Sequence, residues 1–311
     1  MSGQQLAREL GLTRAAVWKQ VERLRGLGLA VEAQAGAGYR LAAPFERLDT
    51  AAIQAALAQA ASAPMPMPRV VWETDSTSSE LLRAAGTGAP DLSTCLAEQQ
   101  RSGRGRRGRS WRTPLGGGLA LSLLKRFERG MASLAGLSLV AGVATCEALA
   151  DAGVPGVGLK WPNDIVAGDA KLGGILVELG GDALGPCHAV IGIGLNLRVP
   201  DPVFAGIDQP CTDLARVAAV VPSRNALAAA VLARLAAALG RFDREGFAPF
   251  VPAFDALDVL KQRPVRVTRA GTPDARDGIA LGVDARGALR VRFDDGERGI
   301  DSGEVSVRAR A

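Results

Sequence analysis

The segment with the most evident chemistry is residues 100–112, in which six arginines are interspersed with three glycines and no acidic residue. Guanidinium groups form paired hydrogen bonds with phosphates and carboxylates. Glycines let backbone N–H groups approach an anion closely, and Trp111 can cover an apolar ring. The segment lies between two strand-like stretches inside a folded region. We therefore favour a phosphate site for a small molecule over a disordered RNA-binding run or a solvated surface loop.

The positive charge of the chain is concentrated in this segment. The formal net charge is +5, and without those six arginines the rest of the chain is close to neutral. A local cluster indicates an anionic ligand bound at one place, whereas wrapping on nucleic acid needs a broad positive surface.

Cysteine and histidine usage argues against a metal centre. The four cysteines, at positions 95, 146, 187 and 211, lack metal-ligand or redox spacing, and His188 is the single histidine. They are typical of reduced thiols in the cytoplasm. The sequence reading finds neither an apolar run of 18 residues nor a signal peptide, so we expect a cytoplasmic protein without a membrane partner.

A second unusual string is Lys160-Trp161-Pro162-Asn163-Asp164. Pro162 favours a turn at the end of a strand, which would place Lys160 at a cleft, where its ammonium can neutralise a phosphate or carboxylate. Asp164 can align the site or help hold Mg²⁺. The alternative is that Lys160 is a surface charge and Trp161 is core packing.

Three further strings have weaker signals. Hydroxyl-rich residues 75–79 follow a strand and can be helix caps or can bind a polar head group. Residues 171–178 and 192–196 contain spaced glycines within strands, which indicates close approach of a ligand or of another strand. Neither string fits the dinucleotide fingerprint, and the sequence has no Walker A motif.

The domain organisation is predicted to be α+β with three parts. Residues 1–46 contain two short helices, 2–10 and 14–26, and two strands around a turn at 36–38. This pattern is typical of a winged helix-turn-helix, although an ordinary helical hairpin that binds no DNA remains an alternative. Residues 47–68 are predicted to be a linker with a helix at 50–62 and a proline-rich end.

The remaining chain is predicted to form two further domains. Residues 69–260 mix strands with long helices near 132–152 and 223–245, which favours a mixed sheet whose topology the pattern leaves open. Residues 261–311 contain four short β-like runs separated by turns, which predicts a small β-barrel.

Taken together, these strings resemble the bifunctional biotin–protein ligase and biotin operon repressor family. The resemblance covers nearly the whole chain, in order and in spacing, and is most specific in Gly103-Arg104-Gly105-Arg106-Arg107-Gly108 together with the Lys160 string. It implies a winged helix, a mixed-sheet catalytic domain and an SH3-like C-terminal barrel. It also implies that biotin and Mg·ATP form biotinyl-5′-AMP, and that biotin then passes to a lysine of the biotin carboxyl carrier protein.

The resemblance also implies roles for individual residues. Lys160, Arg104 and Arg106 are expected to be catalytic, through charge neutralisation. The residues expected to bind biotin or the adenylate are Ser76, Thr77, Ser78, Gln100, Arg104, Gly105, Arg106, Trp111 and Lys160. Lipoate ligases share a related fold, but they lack the glycine-arginine loop.

The repressor role is the second implication. DNA contacts are expected from Arg14, Lys19, Gln20 and Arg23, with a homodimer forming when biotinyl-AMP is bound. The resemblance implies a helix before the segment that begins at Ser2, so we expect the winged helix here to lack its first helix. We therefore expect Leu6, Leu10, Val17 and Val21 to be exposed. A ligase without DNA binding, and a biotin sensor without ligase turnover, are the alternatives.

Overall fold

The structure is a computed structural model, and it describes residues 1–34, 37–269, 275–302 and 305–309. The chain begins with α1 (Gly3–Glu9), α2 (Arg14–Gly26), β1 (Val31–Gln34) and β2 (Gly38–Leu41), in which β1 and β2 pair antiparallel. Ser2 and Thr13 cap the two helices with their hydroxyl oxygens. The two predicted helices and two predicted strands are present, although residues 35 and 36 of the predicted hairpin lie outside the described residues.

The prediction that four apolar residues of this N-terminal unit are exposed was partly wrong. Val17 and Val21 are only 3% and 6% exposed, because they pack with Ala7 in a small core of their own. Leu6 is half-buried against that core, since α1 and the β1–β2 hairpin both close over α2. Leu10 is 61% exposed, as expected.

The central part of the chain is a seven-stranded mixed sheet. Its strands are β3 (Arg69–Thr74), β4 (Thr94–Gln100), β5 (Gly118–Phe127), β6 (Val157–Lys160), β7 (Asp164–Ala167), β8 (Ala170–Gly181) and β9 (Cys187–Asn196). Their spatial order is β3-β4-β5-β9-β8-β7-β6. Only the β3–β4 pair is parallel, and the other neighbours in this sheet are antiparallel.

Helices cover the two faces of this sheet unequally. The helices are α3 (Thr50–Ala60), α4 (Thr77–Gly86), α5 (Leu137–Asp151), α6 (Asp201–Phe204), α7 (Leu214–Val217), α8 (Arg224–Glu245) and α9 (Val251–Leu257). One face packs on α5 and α8 through the main core, to which the alternate residues Leu119, Leu121 and Leu123 belong. The other face meets α4, which packs on Leu124 and Val190. The second face therefore retains open space beyond α4.

Helix α3 differs from the predicted linker. Ile53 and Leu57 are at most 2% exposed and belong to the main core, so the helix is packed on the central domain, against α8. Beside it, Glu98 and Arg224 form a buried ion pair of 2.8 Å. Glu98 also accepts a hydrogen bond from the Leu48 N–H, and Arg224 donates to the Glu46 carbonyl. These contacts hold the segment before α3 against the central sheet.

Among the described residues, one helix, α8, is long and apolar enough to cross a membrane by length and composition. The sequence predicted this helix near residues 223–245, but no apolar run of 18 residues was found in it. In the structure α8 packs against α3 and α5, with Leu232, Leu235 and Leu239 fully buried. This is the environment of a core helix.

The C-terminal part is a five-stranded antiparallel sheet. Its strands are β10 (Pro264–Arg269), β11 (Ala275–Val283), β12 (Leu289–Phe293), β13 (Gly296–Ile300) and β14 (Val305–Ala309), in the order β13-β12-β11-β10-β14. The sequence prediction missed β13, because four of its five residues are exposed and it lacks apolar alternation. The sheet shares the main core through Val265, Leu289 and Val291.

Candidate functional site

A cavity of about 530 Å³ opens on the face of the central sheet that α4 covers only in part. It brings together segments that are far apart in the sequence. Every residue predicted to bind biotin or the adenylate lines this cavity: Ser76, Thr77, Ser78, Gln100, Arg104, Gly105, Arg106, Trp111 and Lys160. The structure therefore brings these predicted residues together around one cavity.

Glycines on the cavity side of the sheet make this space. A Cβ atom on Gly192 would lie 2.7 Å from the Ser78 hydroxyl oxygen. A Cβ atom on Gly194 would lie 2.5 Å from the indole of Trp111. The glycines of this strand were predicted to mark close approach of a ligand or of another strand, and the structure shows that side chains of the site pack directly on the β9 backbone.

One end of the cavity is lined by hydroxyl groups from the start of α4. Ser76, Thr77 and Ser78 are at most 4% exposed. Ser76 occupies the N-cap position, but its side chain makes no capping hydrogen bond. Gln100 accepts hydrogen bonds from the Thr77 N–H and hydroxyl, at 2.9 and 3.2 Å. This end has the polar character expected for the head group of a ligand.

Sequence reasoning missed Ser122, on β5. Its fully buried hydroxyl lies 2.8 Å from the Thr77 hydroxyl and 3.0 Å from the Ser78 hydroxyl. It therefore links the two side chains and restricts their orientation. The available signal was a lone polar residue within the apolar strand Leu119–Leu124.

Arg104 lies in the cavity wall with its charge already partnered. Its guanidinium donates to the Ser79 hydroxyl at 2.7 Å, and to both carboxylate oxygens of Glu178 at 2.8 and 3.0 Å. The glycine-arginine loop folds back on itself, because the Gly105 N–H donates to the Arg109 carbonyl at 2.7 Å. The geometry gives Arg104 a role in fastening this loop to β8.

Arg106 lies deeper in the site. It donates to the Asn163 side-chain oxygen at 3.2 Å and to the Ser302 carbonyl of the C-terminal sheet. Burial lowers the pKa of this guanidinium, and the nearby charges of Arg107 and Arg109 lower it further. The protein thus holds a partly desolvated cation next to the cavity.

Lysines at two positions line the cavity. Lys160 is half-buried where β6 ends, as predicted. Lys171 was missed as a site residue, because its string was weighed for its glycines alone. Its ammonium lies 2.7 Å from an Asp164 carboxylate oxygen, with both side chains less than one-fifth exposed, and 5.9 Å from the Trp111 ring centroid. Asp164, predicted to align the site or bind Mg²⁺, therefore faces Lys171.

The cavity joins a neutral hydrogen-bonding end to a cationic wall. Such an arrangement can bind a molecule with a polar head and a carboxylate, and can bring that carboxylate to a phosphate. The Trp111 indole N–H donates to the Thr113 hydroxyl at 2.9 Å, which fixes the ring beside Lys171. The fixed ring offers an apolar face to a ligand.

The residues predicted to contact DNA lie elsewhere. Arg14, Lys19, Gln20 and Arg23 are all exposed on α2. Trp18, which the sequence reading did not select, is 54% exposed on the same helix. The structure places these residues on a surface separate from the cavity.

Comparison with known protein families finds three matches along the chain. Residues 72–196 match the biotin/lipoate A/B protein ligase family, residues 1–40 match a helix-turn-helix domain, and residues 263–308 match the biotin protein ligase C-terminal domain. The cavity lies mainly within the first match.

Whole-chain relatives agree with these matches. The bifunctional ligase/repressor BirA of Escherichia coli is 38% identical over 99% of this chain and 93% of its own length. The corresponding Bacillus subtilis protein is 30% identical over 99% of this chain and 94% of its own. The Aquifex aeolicus biotin protein ligase, solved with biotin and ATP, aligns with a TM-score of 0.66 at 26% identity, covering 78% of this chain and 99% of that one. The chain belongs to the bifunctional ligase/repressor family, and its enzymatic class is that of biotin protein ligases.

Proposed function

We propose that this protein uses ATP to convert biotin into biotinyl-5′-AMP in the cavity and then transfers biotin to a lysine of a biotin carboxyl carrier protein. A biotin carboxylate oxygen attacks the α-phosphorus of ATP and the bond to pyrophosphate breaks, which gives biotinyl-5′-AMP. The carrier lysine, as a neutral amine, attacks the carbonyl carbon of this anhydride. AMP leaves and the amine loses a proton. The observation that carries the proposal is the cavity joining buried hydroxyls to Arg106, Lys160 and Lys171.

The chemistry requires no histidine base, because a carboxylate is already ionised at neutral pH. The obstacle is repulsion between an anionic nucleophile and an anionic phosphate. The positive charges of Arg106, Lys160 and Lys171 around the cavity offset that repulsion. In this assignment the ureido ring of biotin binds at the Ser76–Ser78 end, and Trp111 covers the adenylate. Arg104 fastens the loop over the intermediate and excludes water.

Mg²⁺ enters the proposal as part of the ATP substrate. Within the described part of the chain, no group of three or more histidine, cysteine or acidic side chains is placed to hold a metal ion. Mg²⁺ bound to nucleotides commonly takes most of its ligands from phosphates and water. We therefore assign its coordination chiefly to the ATP phosphates.

Biotin-dependent ATP–pyrophosphate exchange, followed by transfer to a purified carrier domain, tests the proposal. Exchange with transfer is expected. Exchange without transfer would favour a regulator that makes and holds its own effector. A folded chain that binds biotin but gives no exchange would contradict the ligase and favour a biotin sensor.

Two variants test the assigned roles of the cations. Lys160→Ala and Arg106→Ala should each slow exchange by about 10²-fold or more, the scale of losing one electrostatic stabiliser. Arg234→Ala is a matched control, because Arg234 forms an exposed ion pair with Asp151. Full activity in both cavity variants would contradict the assignment.

We further propose that the winged helix reads operator DNA when biotinyl-AMP is bound. In this assignment α2 enters the major groove with Arg14, Lys19, Gln20 and Arg23, and a homodimer matches two half-sites. The C-terminal sheet is proposed to curve into an SH3-like barrel, and the protein is proposed to be cytoplasmic.

Sedimentation velocity with and without biotinyl-AMP tests dimerisation, and selection from random DNA tests recognition. The selected sites should be two-fold symmetric, and Arg23→Ala should weaken binding and reduce its salt dependence. If the protein stays monomeric with biotinyl-AMP and selects no DNA sequence, the proposed repressor role is contradicted and only the ligase role remains.

A further inference from the structure

Trp161 makes a contact that core packing does not require. It is 1% exposed, and its indole N–H donates a hydrogen bond of 3.1 Å to the Gly287 carbonyl. Gly287 lies in the turn between β11 and β12. The bond therefore joins the Lys160 string of the central sheet to the C-terminal sheet.

The turn that holds Gly287 is well fixed. The Gly287 N–H donates to the Asp284 carbonyl at 3.0 Å, and the Asp284 carboxylate accepts from two further backbone N–H groups of the same turn. A Cβ atom on Gly287 would lie only 2.9 Å from Gly136 Cα, so the turn packs directly on the segment that precedes α5. This turn of the C-terminal sheet is therefore held by Trp161 on one side and by the segment that precedes α5 on the other.

The C-terminal sheet in turn reaches the cavity. Val307 on β14 is 6% exposed and lines the cavity wall. The Ser302 carbonyl, in the segment between β13 and β14, accepts a hydrogen bond from Arg106. The position of this sheet therefore determines where the Ser302 carbonyl, a hydrogen-bond acceptor for Arg106, lies in the site.

The Lys160 string also contacts Arg106 directly. Asn163, two residues after Trp161, accepts from Arg106 at 3.2 Å, and its own amide donates to the Ile175 carbonyl at 3.0 Å. Arg106 is thus held between the Lys160 string and the C-terminal sheet, and Trp161 connects those two elements. A guanidinium taken partly out of water depends on such polar partners.

We propose that Trp161 is a positioning residue for the activation step. Its bond to Gly287 seats the C-terminal sheet so that the Ser302 carbonyl holds Arg106 toward the reacting groups. This inference rests on the proposed role of Arg106 in neutralising charge.

Trp161→Phe tests the inference, because it keeps an aromatic ring and removes the N–H donor. The maximal rate of biotin-dependent exchange should fall by about 10-fold, the scale of losing a buried hydrogen bond, while biotin affinity measured by calorimetry stays unchanged. In an Arg106→Ala background the same substitution should cause no further fall, since both act through one group. Trp72→Phe, at a 44% exposed tryptophan on β3, is the matched control and should leave the rate unchanged.

Hydrogen exchange supplies a readout that does not depend on ligase activity. Trp161→Phe should increase amide exchange in β14 and in residues 103–111, and Trp72→Phe should not. Unchanged amide exchange in both segments overturns the inference. A Trp161→Phe variant that exchanges pyrophosphate at the wild-type rate overturns it too. So does a Trp161→Phe substitution that slows pyrophosphate exchange equally with Arg106 present and with Arg106→Ala. Failure of the wild-type chain to support pyrophosphate exchange contradicts the proposed function, and amide exchange still tests the seating by Trp161.

Discussion

The Lys171 ammonium and the Asp164 carboxylate lie 2.7 Å apart inside the candidate site, with both side chains less than one-fifth exposed. Because Asp164 ends the Lys160 string and Lys171 lies on the next strand, the pair ties two parts of the cationic wall together. A cation held in this way needs little rearrangement when a negative charge develops beside it.

Lys171→Ala should therefore slow formation of biotinyl-AMP by about 10²-fold or more. The double variant Lys171→Ala/Asp164→Asn removes the uncompensated carboxylate and separates lost catalysis from lost stability. Lys261→Ala, which breaks an ion pair of the same 2.7 Å length with Asp255, is the control. Pyrophosphate exchange by Lys171→Ala at the wild-type rate would remove this lysine from the mechanism.

Ser122→Ala should weaken biotin binding by about 5- to 10-fold, the scale of one buried hydrogen bond. The alanine leaves the Thr77 and Ser78 hydroxyls without their shared partner, so the Ser78 hydroxyl is no longer oriented by Ser122 and the Thr77 hydroxyl keeps only its bond to Gln100. Calorimetric titration with biotin measures the effect. Ser133→Ala, which removes only a local bond to the Gly130 carbonyl, should bind biotin normally. If both variants bind biotin with the same affinity, Ser122 contributes only to packing and does not orient the hydroxyls of the site.

Glu98→Gln should destabilise the protein by about 3–5 kcal/mol, because it leaves the Arg224 charge buried without its counter-ion. The same substitution weakens the hydrogen bond that holds Leu48. Chemical denaturation measures the loss, and replacing both partners by apolar residues should recover much of it. Arg241→Ala, which breaks an exposed i,i+4 pair with Glu245, should cost less than about 1 kcal/mol.

Asp258 should make stability depend on pH. Burial, with a smaller contribution from the nearby charge of Asp255, raises the pKa of this carboxyl to about 6, although the Leu260 N–H and Lys261 oppose the rise. From about pH 4 to 6 the folded state therefore binds more protons than the unfolded state. The free energy of unfolding then falls as pH increases through this window.

Asp258→Asn should raise the melting temperature at pH 7.5 by on the order of 2–4 °C and flatten the profile between pH 4 and 6. Asparagine keeps an oxygen to accept the Leu260 N–H and removes the buried charge. Calorimetry across this range measures the effect, with Asp294→Asn at an exposed position as the control. A profile identical to that of the wild type would show that another group sets the pH dependence.

The sequence was most informative where chemistry and local geometry coincide. Caps at Ser2 and Thr13, turns and apolar alternation predicted the N-terminal helices and most strands, because these signals act over a few residues. The glycine-arginine loop and the Lys160 string predicted a site for an anion, since few structural roles use that many arginines without acids, and the structure brings both to one cavity. Strand β13 was missed because its exposed residues lack apolar alternation.

By itself the sequence determined which residue types are available to the site and in what order they occur. Only the tertiary structure decided their partners. It paired Arg104 with Glu178 and Lys171 with Asp164, and it placed Ser122 beneath Thr77. It also showed that α3, which the sequence predicted to lie in a linker, packs in the main core, and that the Ser302 carbonyl lies next to Arg106. These contacts join residues up to 196 positions apart, and strand order and helix packing, which no local pattern encodes, bring them together.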